Sequence, residues 1–294
     1  MTQTSFLGDK PIGRIGFGAM QLAGPGVFGP PRDPDAAQAV LRRAIELGVD
    51  HIDTSQYYGP DVVNDLIRET LYPYPENLKL VTKVGARRDD QGAWLPALSP
   101  AELRQGVEDN LRSLRVERMD LVNLRVADAH GGHGEPTEEQ VATMKELQRE
   151  GKLDLIGISN VTLDGLRTAA ELTELGEVQN AYSVMDRVND PLVEFCRERE
   201  IAFVPFFPLG SAFSGGPAKL AADPAVAEVA AKHGATPSQV ALAWLLARYD
   251  RILLIPGTTS VAHLEENMAA GDLELDEDDL ARLESVEQTG RPMR

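Results

Sequence analysis

The sequence predicts an α/β chain closed into a (β/α)8 barrel of the TIM type, with extra helices near its end. Three observations predict it. Short apolar, β-branched runs recur eight times at roughly thirty-residue spacing, the size of one βα unit. Most of these runs are continuously apolar rather than alternating, which suits strands buried on both faces of a parallel sheet. No Gly/Ser linker, low-complexity tract or composition break divides the 294 residues. Barrels of this kind commonly run ~250 residues as one unit, so residues 1–294 are expected to form a single domain.

The expected strands are Ile12–Phe17, His51–Thr54, Leu78–Val84, Met119–Val126, Leu155–Ser159, Val178–Tyr182, Ile201–Phe207 and Ile252–Ile255. The opening stretch Phe6–Phe17 also reads as a small hairpin. Helix signals separate the strands. Asp33-Pro34 supplies an N-cap and a first-turn proline, Val40, Leu41, Ala44 and Ile45 share a face, and Gly48 stops the helix. Ser99–Glu102 and Thr137–Gln140 are capping boxes ahead of helical apolar spacing. Asp190-Pro191 opens a helix carrying Leu192, Val193 and Cys196, and Thr236–Gln239 opens Val240–Leu246. Between the last two strands the reading gives a loop, Gly210–Ala222, then helices Pro224–His233 and Pro237–Leu246. A final helix is expected over Glu277–Val286.

Composition narrows the function. The chain is 43% hydrophobic and 26% charged, with a net charge of −17. A strongly acidic surface repels phosphate backbones and anionic lipid, so neither nucleic acid nor membrane is an expected partner. An anionic ligand must instead be met by a local basic cluster. The single cysteine, Cys196, excludes an intramolecular disulfide framework and a cysteine zinc cage, and no metal is expected. The N-terminal run lacks the apolar core of a signal peptide, and the longest apolar run, Val240 to Ala247, is far below the ~20 residues that span a bilayer. A cytoplasmic protein, monomeric or weakly oligomeric, is the expectation.

Barrel chemistry sits where strands end at the C-terminal face. The polar residues there are Asp53 and Tyr58 in HIDTSQYYG, Lys83 in LVTKVG and Arg125 in DLVNLRV. A buried ammonium needs a partner, so Lys83 should pair with Asp53. A cation beside a phenol favours the phenolate, which predicts a lowered Tyr58 pKa and a general acid usable near neutral pH. Such a group suits carbonyl reduction, where an alkoxide must be protonated.

DTSQYYG resembles the D-T-x-x-x-Y-G signature of aldo-keto reductases. VTKVG, IGISN, VQNAYS, VPFFPLG and IPGTTSVAHLEEN follow in that family's order and spacing. The resemblance covers essentially the whole chain. It implies a (β/α)8 barrel with an N-terminal β-hairpin plug, NADPH bound in an extended form, and a Tyr/Lys/Asp hydride-transfer site made of Asp53, Tyr58 and Lys83. By the same resemblance Ser159, Asn160 and Gln179 hold the nicotinamide carboxamide, and Phe206 stacks on the nicotinamide ring. Leu209 and Ser211 correspond to pyrophosphate contacts, and Gly18, Ala19 and Met20 to the segment ending the first strand. Gly257, Thr258, Ser260, His263, Glu266 and Asn267 correspond to the loop and helix start that hold the adenosine 2′-phosphate and adenine. From the residues alone, IPGTTS before a helix reads as a backbone anion site.

Two positions depart from the family pattern. The phosphate loop carries Gly257 and His263 where Lys and Arg are usual, and the fourth strand ends in Arg125 where His is usual. Together with FGAMQLAGPGVFGPPRD and ILLIPGTTSVAHLEENMAA, these features are similar to a bacterial branch of the family that reduces pyridoxal. The implied reaction is reduction of pyridoxal to pyridoxine by NADPH. The competing readings are a general aromatic or aliphatic aldehyde reductase and a non-enzymatic, cofactor-sensing barrel. The complete Asp53, Tyr58 and Lys83 set weighs against the last.

Overall fold

In the computed structural model, residues 4–126, 133–210 and 215–289 are described. The chain opens with an antiparallel hairpin of β1 (Thr4–Leu7) and β2 (Lys10–Gly13). The barrel strands β3 (Phe17–Gly18), β4 (His51–Asp53) and β5 (Lys79–Val84) follow. A second hairpin, β6 (Ala86–Arg88) and β7 (Trp94–Pro96), interrupts them before β8 (Met119–Arg125), β9 (Leu153–Ser159), β10 (Glu177–Ala181) and β11 (Ala202–Phe206). The sheet order is β3-β4-β5-β8-β9-β10-β11, with every pairing parallel.

The segment predicted as the eighth strand closes this sheet. Ile252 bridges Phe203 of β11 and Leu254 bridges Ile15 ahead of β3, both in parallel. The Leu253 N–H donates to the Phe203 carbonyl at 3.0 Å, and the Gly16 N–H donates to that of Leu254 at 2.8 Å. Each side contributes only a few ladder bonds, but they suffice to complete a (β/α)8 barrel.

Outside the strands lie α1 (Pro34–Glu46), α2 (Val62–Leu71), α3 (Pro100–Leu114), α4 (Glu138–Arg149), α5 (Leu163–Leu172) and α6 (Asp190–Glu198). After β11 come α7 (Gly216–Ala222), α8 (Pro224–His233), α9 (Pro237–Arg248), α10 (Val261–Ala269) and α11 (Glu277–Leu283). The capping boxes form as the sequence implies at α3, α4 and α9, and the Asp33 side chain accepts from Ala36 N at the start of α1. No helix among the described residues is long and apolar enough to cross a membrane.

The core has two layers. The larger runs from Ile15 to Val286 between the strands and the helices. The smaller fills the barrel interior with Val81, Leu121, Val204, Leu253 and Ile255, and it includes Leu7 and Ile12 from the first hairpin. Leu7 is 0% and Ile12 1% exposed, so the hairpin plugs one end of the barrel and leaves chemistry to the other.

Three expectations need correction. Ile12–Phe17 is not one strand: Ile12 belongs to β2, and the chain turns before Ile15 and Phe17 join the barrel. The expected loop Gly210–Ala222 contains α7, whose seven residues are too few to show helical periodicity and begin at glycine and proline. The last helix ends at Leu283 rather than Val286. The β6–β7 hairpin had no expected counterpart.

Candidate active site

Parallel register brings the strand ends to one level. Gly18 pairs with Asp53, Lys83 with Asn123, and Ser159 with both Arg125 and Gln179. Side chains two residues apart on a strand face the same way, so the residues before these ends supply a second interior layer.

Lys83 Nζ donates to Asp53 Oδ1 at 2.5 Å and to the Thr54 carbonyl at 3.2 Å. Both side chains of the pair are 6% exposed, so the expected ion pair is present and nearly dry. Tyr58 stands beside it, with the Lys83 ammonium 5.3 Å from the ring centroid. Burial acts to lower the Lys83 pKa, but the Asp53 charge, the neighbouring Tyr58 and Tyr57 and the hydrogen bond to Asp53 together outweigh it and hold the group above its ordinary range.

The expected lowering of the Tyr58 pKa does not hold. Desolvation pushes the phenol up to about 12, and the Lys83 charge opposes this without reversing it. The reason is burial: Tyr58 is 6% exposed, and a phenolate there loses its water. At neutral pH the proton therefore sits on the tyrosine.

Around the mouth, Tyr57 meets the Tyr58 ring edge-on at 5.4 Å and the Trp94 ring at 5.5 Å between centroids. Trp94 arrives on the β6–β7 hairpin. Arg125, half-buried at the end of β8, lies with its guanidinium 5.7 Å from the Trp94 ring centroid, and Arg88 lies 4.1 Å from that centroid on the same ring. Arg125 thus faces the Trp94 hairpin at the mouth. Gly85 is what lets the hairpin leave β5 here. Its φ is +106°, and a Cβ would lie 2.3 Å from the Arg125 carbonyl oxygen.

The residues assigned to a cofactor fall in two groups. In the barrel, Ser159, Asn160 and Gln179 are 2%, 2% and 1% exposed. Gln179 Nε2 donates to Asp53 Oδ2 at 3.0 Å, while Gln179 Oε1 is buried with no hydrogen-bond partner in the structure. Asn160 takes a left-handed φ of 62° as the chain turns out of β9. Phe206 is half-buried at the end of β11, edge-on to Phe207, and Leu209 is half-buried three residues on. Ser211 lies outside the described residues.

The second group surrounds the start of α10. Gly18 and Gly257 approach so closely that a Cβ on Gly257 would be 2.5 Å from the Gly18 carbonyl oxygen. Ala19 and Met20 continue from Gly18 in a short 3-10 turn. Ser260 caps α10, its Oγ accepting from His263 N at 3.4 Å, and its own N–H donates to Thr258 Oγ1 at 3.1 Å. His263 is exposed and Asn267 buried. Glu266 accepts from Thr236 Oγ1 at 2.6 Å and so ties α10 to the start of α9.

Sequence reasoning missed Asn123, Glu177 and Trp94. Glu177 fell outside the expected strand Val178–Tyr182, where an acid reads as a solvated flank. The available signal was period two: Glu177 and Gln179 share the inward face of β10.

Comparison with known proteins extends this geometry. Residues 14–288 match the model of the aldo/keto reductase family. The chain is 51% identical over 287 residues to pyridoxine 4-dehydrogenase of Escherichia coli strain K12, covering 97% of this chain and 98% of that protein. It is 36% identical to an uncharacterized oxidoreductase of Schizosaccharomyces pombe, covering 95% and 88% respectively. Among solved structures, a thermostable aldo-keto reductase in complex with the inhibitor epalrestat superposes with a TM-score of 0.80 at 28% identity, covering 96% of this chain and 98% of the other.

Proposed function

The chain belongs to the aldo/keto reductase family, and from that premise we propose that it is an NADPH-dependent aldehyde reductase that converts pyridoxal to pyridoxine. The observation that carries the chemistry is the dry Lys83–Asp53 pair beside a protonated Tyr58. The substrate assignment rests on the 51% identity to pyridoxine 4-dehydrogenase along nearly the whole chain.

Two features fit the cofactor. The partnerless Gln179 Oε1 suits the amide donor of a nicotinamide carboxamide, with Ser159 and Asn160 beside it. The start of α10 offers backbone N–H groups and the helix dipole to an adenosine 2′-phosphate, with Gly257, Thr258 and Ser260 lining the approach. NADPH, when bound, supplies the hydride.

The chain's own residues do the rest. Tyr58 holds its proton at neutral pH and delivers it to the aldehyde oxygen as negative charge builds there. Lys83 stabilises the tyrosinate left behind, and Asp53 fixes Lys83 and offsets its charge. Arg125 orients the substrate: its fork matches an ionised 3-oxygen next to the carbonyl oxygen of pyridoxal. We also read the 294 residues as one domain, supported by the apolar layer that runs from Ile15 to Val286, and as a cytoplasmic protein.

The test is NADPH oxidation by the purified protein with pyridoxal, pyridoxal phosphate and benzaldehyde. The highest kcat/KM is expected with pyridoxal. Equal values across the three would leave a general aldehyde reductase, and no turnover with any of them would remove the reading.

A further inference from the structure

Beneath the Lys83–Asp53 pair lies a second buried carboxyl. Glu177, the first residue of β10, is 2% exposed inside the barrel. Its Oε1 accepts from Asn123 Nδ2 at 2.6 Å, although β9 stands between their two strands. The contact spans β9 because Gly157 is the residue in register with both. A Cβ on Gly157 would lie 2.3 Å from Asn123 Oδ1, so any side chain there would expel the amide.

The same Glu177 oxygen lies 3.4 Å from Gln179 Nε2, which donates at 3.0 Å to Asp53 Oδ2. One carboxamide NH2 is therefore shared by two acids. The reverse rotamer would set its carbonyl oxygen against both of them. The two carboxyl groups thus fix which way Gln179 faces and leave its Oε1 turned from them, buried and without a partner.

We propose that Glu177 is a positioning residue for the cofactor: with Asp53 it locks the Gln179 carboxamide so that Oε1 is presented to the nicotinamide amide. The inference rests on the reading of Gln179 as a cofactor residue. The charged groups acting on Glu177 are Asp53 of β4 and Lys83 of β5, while β8, β9 and β11 bring Asn123, Gly157 and Ala202 against it. Desolvation pushes the Glu177 carboxyl up to about 7, and the Asn123 hydrogen bond opposes that rise. Across neutral pH the lock therefore changes strength. Ionised Glu177 grips the Gln179 NH2, whereas the protonated carboxyl accepts more weakly and its O–H favours the flipped amide, which turns Oε1 toward Glu177 and away from the cofactor.

The experiment is the dissociation constant of NADPH, measured by fluorescence titration from pH 5.5 to 8.5 on the wild type, Glu177→Gln and Asn123→Ala. The phosphate of NADPH titrates in all three, so the readout is the difference between the profiles. The wild type is expected to bind about three- to tenfold more weakly below neutrality than above it, the size of one lost hydrogen bond. Glu177→Gln removes the titrating charge at nearly constant shape, exchanging one acceptor oxygen for an NH2, and should lose this step, binding weakly throughout. Asn123→Ala should keep the step but move it to higher pH, a shift that a purely structural role would not produce, and it serves if Glu177→Gln does not fold. Identical profiles in the wild type and Glu177→Gln, or an unmoved step in Asn123→Ala, would overturn the inference. Pyridoxal turnover reports separately: its absence alongside a Glu177-dependent binding step would remove the substrate assignment alone, whereas failure to bind NADPH would overturn both.

Discussion

Tyr58 shows how one residue's environment decides its role. Burial outweighs the Lys83 charge and keeps the phenol protonated, which suits a donor. Tyr58→Phe keeps the ring packing against Tyr57 but has no proton to give. The expected loss in kcat/KM for pyridoxal is about 10²–10⁴-fold, with the NADPH dissociation constant changed less than about twofold. Retained turnover in steady-state assays would remove Tyr58 as the acid. Arg125 makes a different prediction. A guanidinium offers a planar fork of N–H donors and no acceptor, so the proposed task of Arg125 is orientation. Arg125→His should cost pyridoxal at least tenfold more in kcat/KM than benzaldehyde, which lacks the 3-hydroxyl. Equal losses would assign Arg125 to the carbonyl or the tyrosine instead.

At the scale of elements, the join between β3 and the loop before α10 carries the clearest constraint. A glycine at 257 looks from sequence like a lost charge, since a lysine is usual there in the family. The fold supplies another reason for it: the Gly18 carbonyl leaves no room for a Cβ. Gly257→Lys should therefore weaken NADPH binding rather than strengthen it, because the loop must shift before the ammonium can reach the phosphate. A destabilisation of about 1–3 kcal/mol is expected from the forced contact, read by chemical denaturation alongside the binding titration. Tighter NADPH binding with unchanged stability would refute this. The starts of α3, α4 and α9 were the most legible boundaries, because each capping box is a local pattern of four residues. Helix α7 was illegible for the opposite reason, being too short for periodicity and opening with a glycine and a proline.

For the whole molecule, closure depends on contacts between distant parts of the chain. The eighth strand position makes few ladder bonds, and the hairpin that precedes the barrel seals its floor with Leu7 and Ile12. Leu7→Ala should cost about 2–5 kcal/mol in denaturation experiments, as for other fully buried leucines. A negligible effect would mean that the hairpin is an ornament. The sequence by itself determined the alternation of strands and helices, the helix caps, and the placement of Asp53, Lys83 and Arg125 at strand ends with Tyr58 in the turn after β4, because these depend on periodicity and on neighbours a few residues apart. Only the tertiary structure decided the direction of the Tyr58 shift, which follows from desolvation by surroundings far away in sequence. It alone brought Trp94 to the mouth beside Arg125. It alone set Asn123, Gly157 and Glu177 in register across three strands, since strand pairing, not local pattern, determines which side chains meet inside a closed barrel.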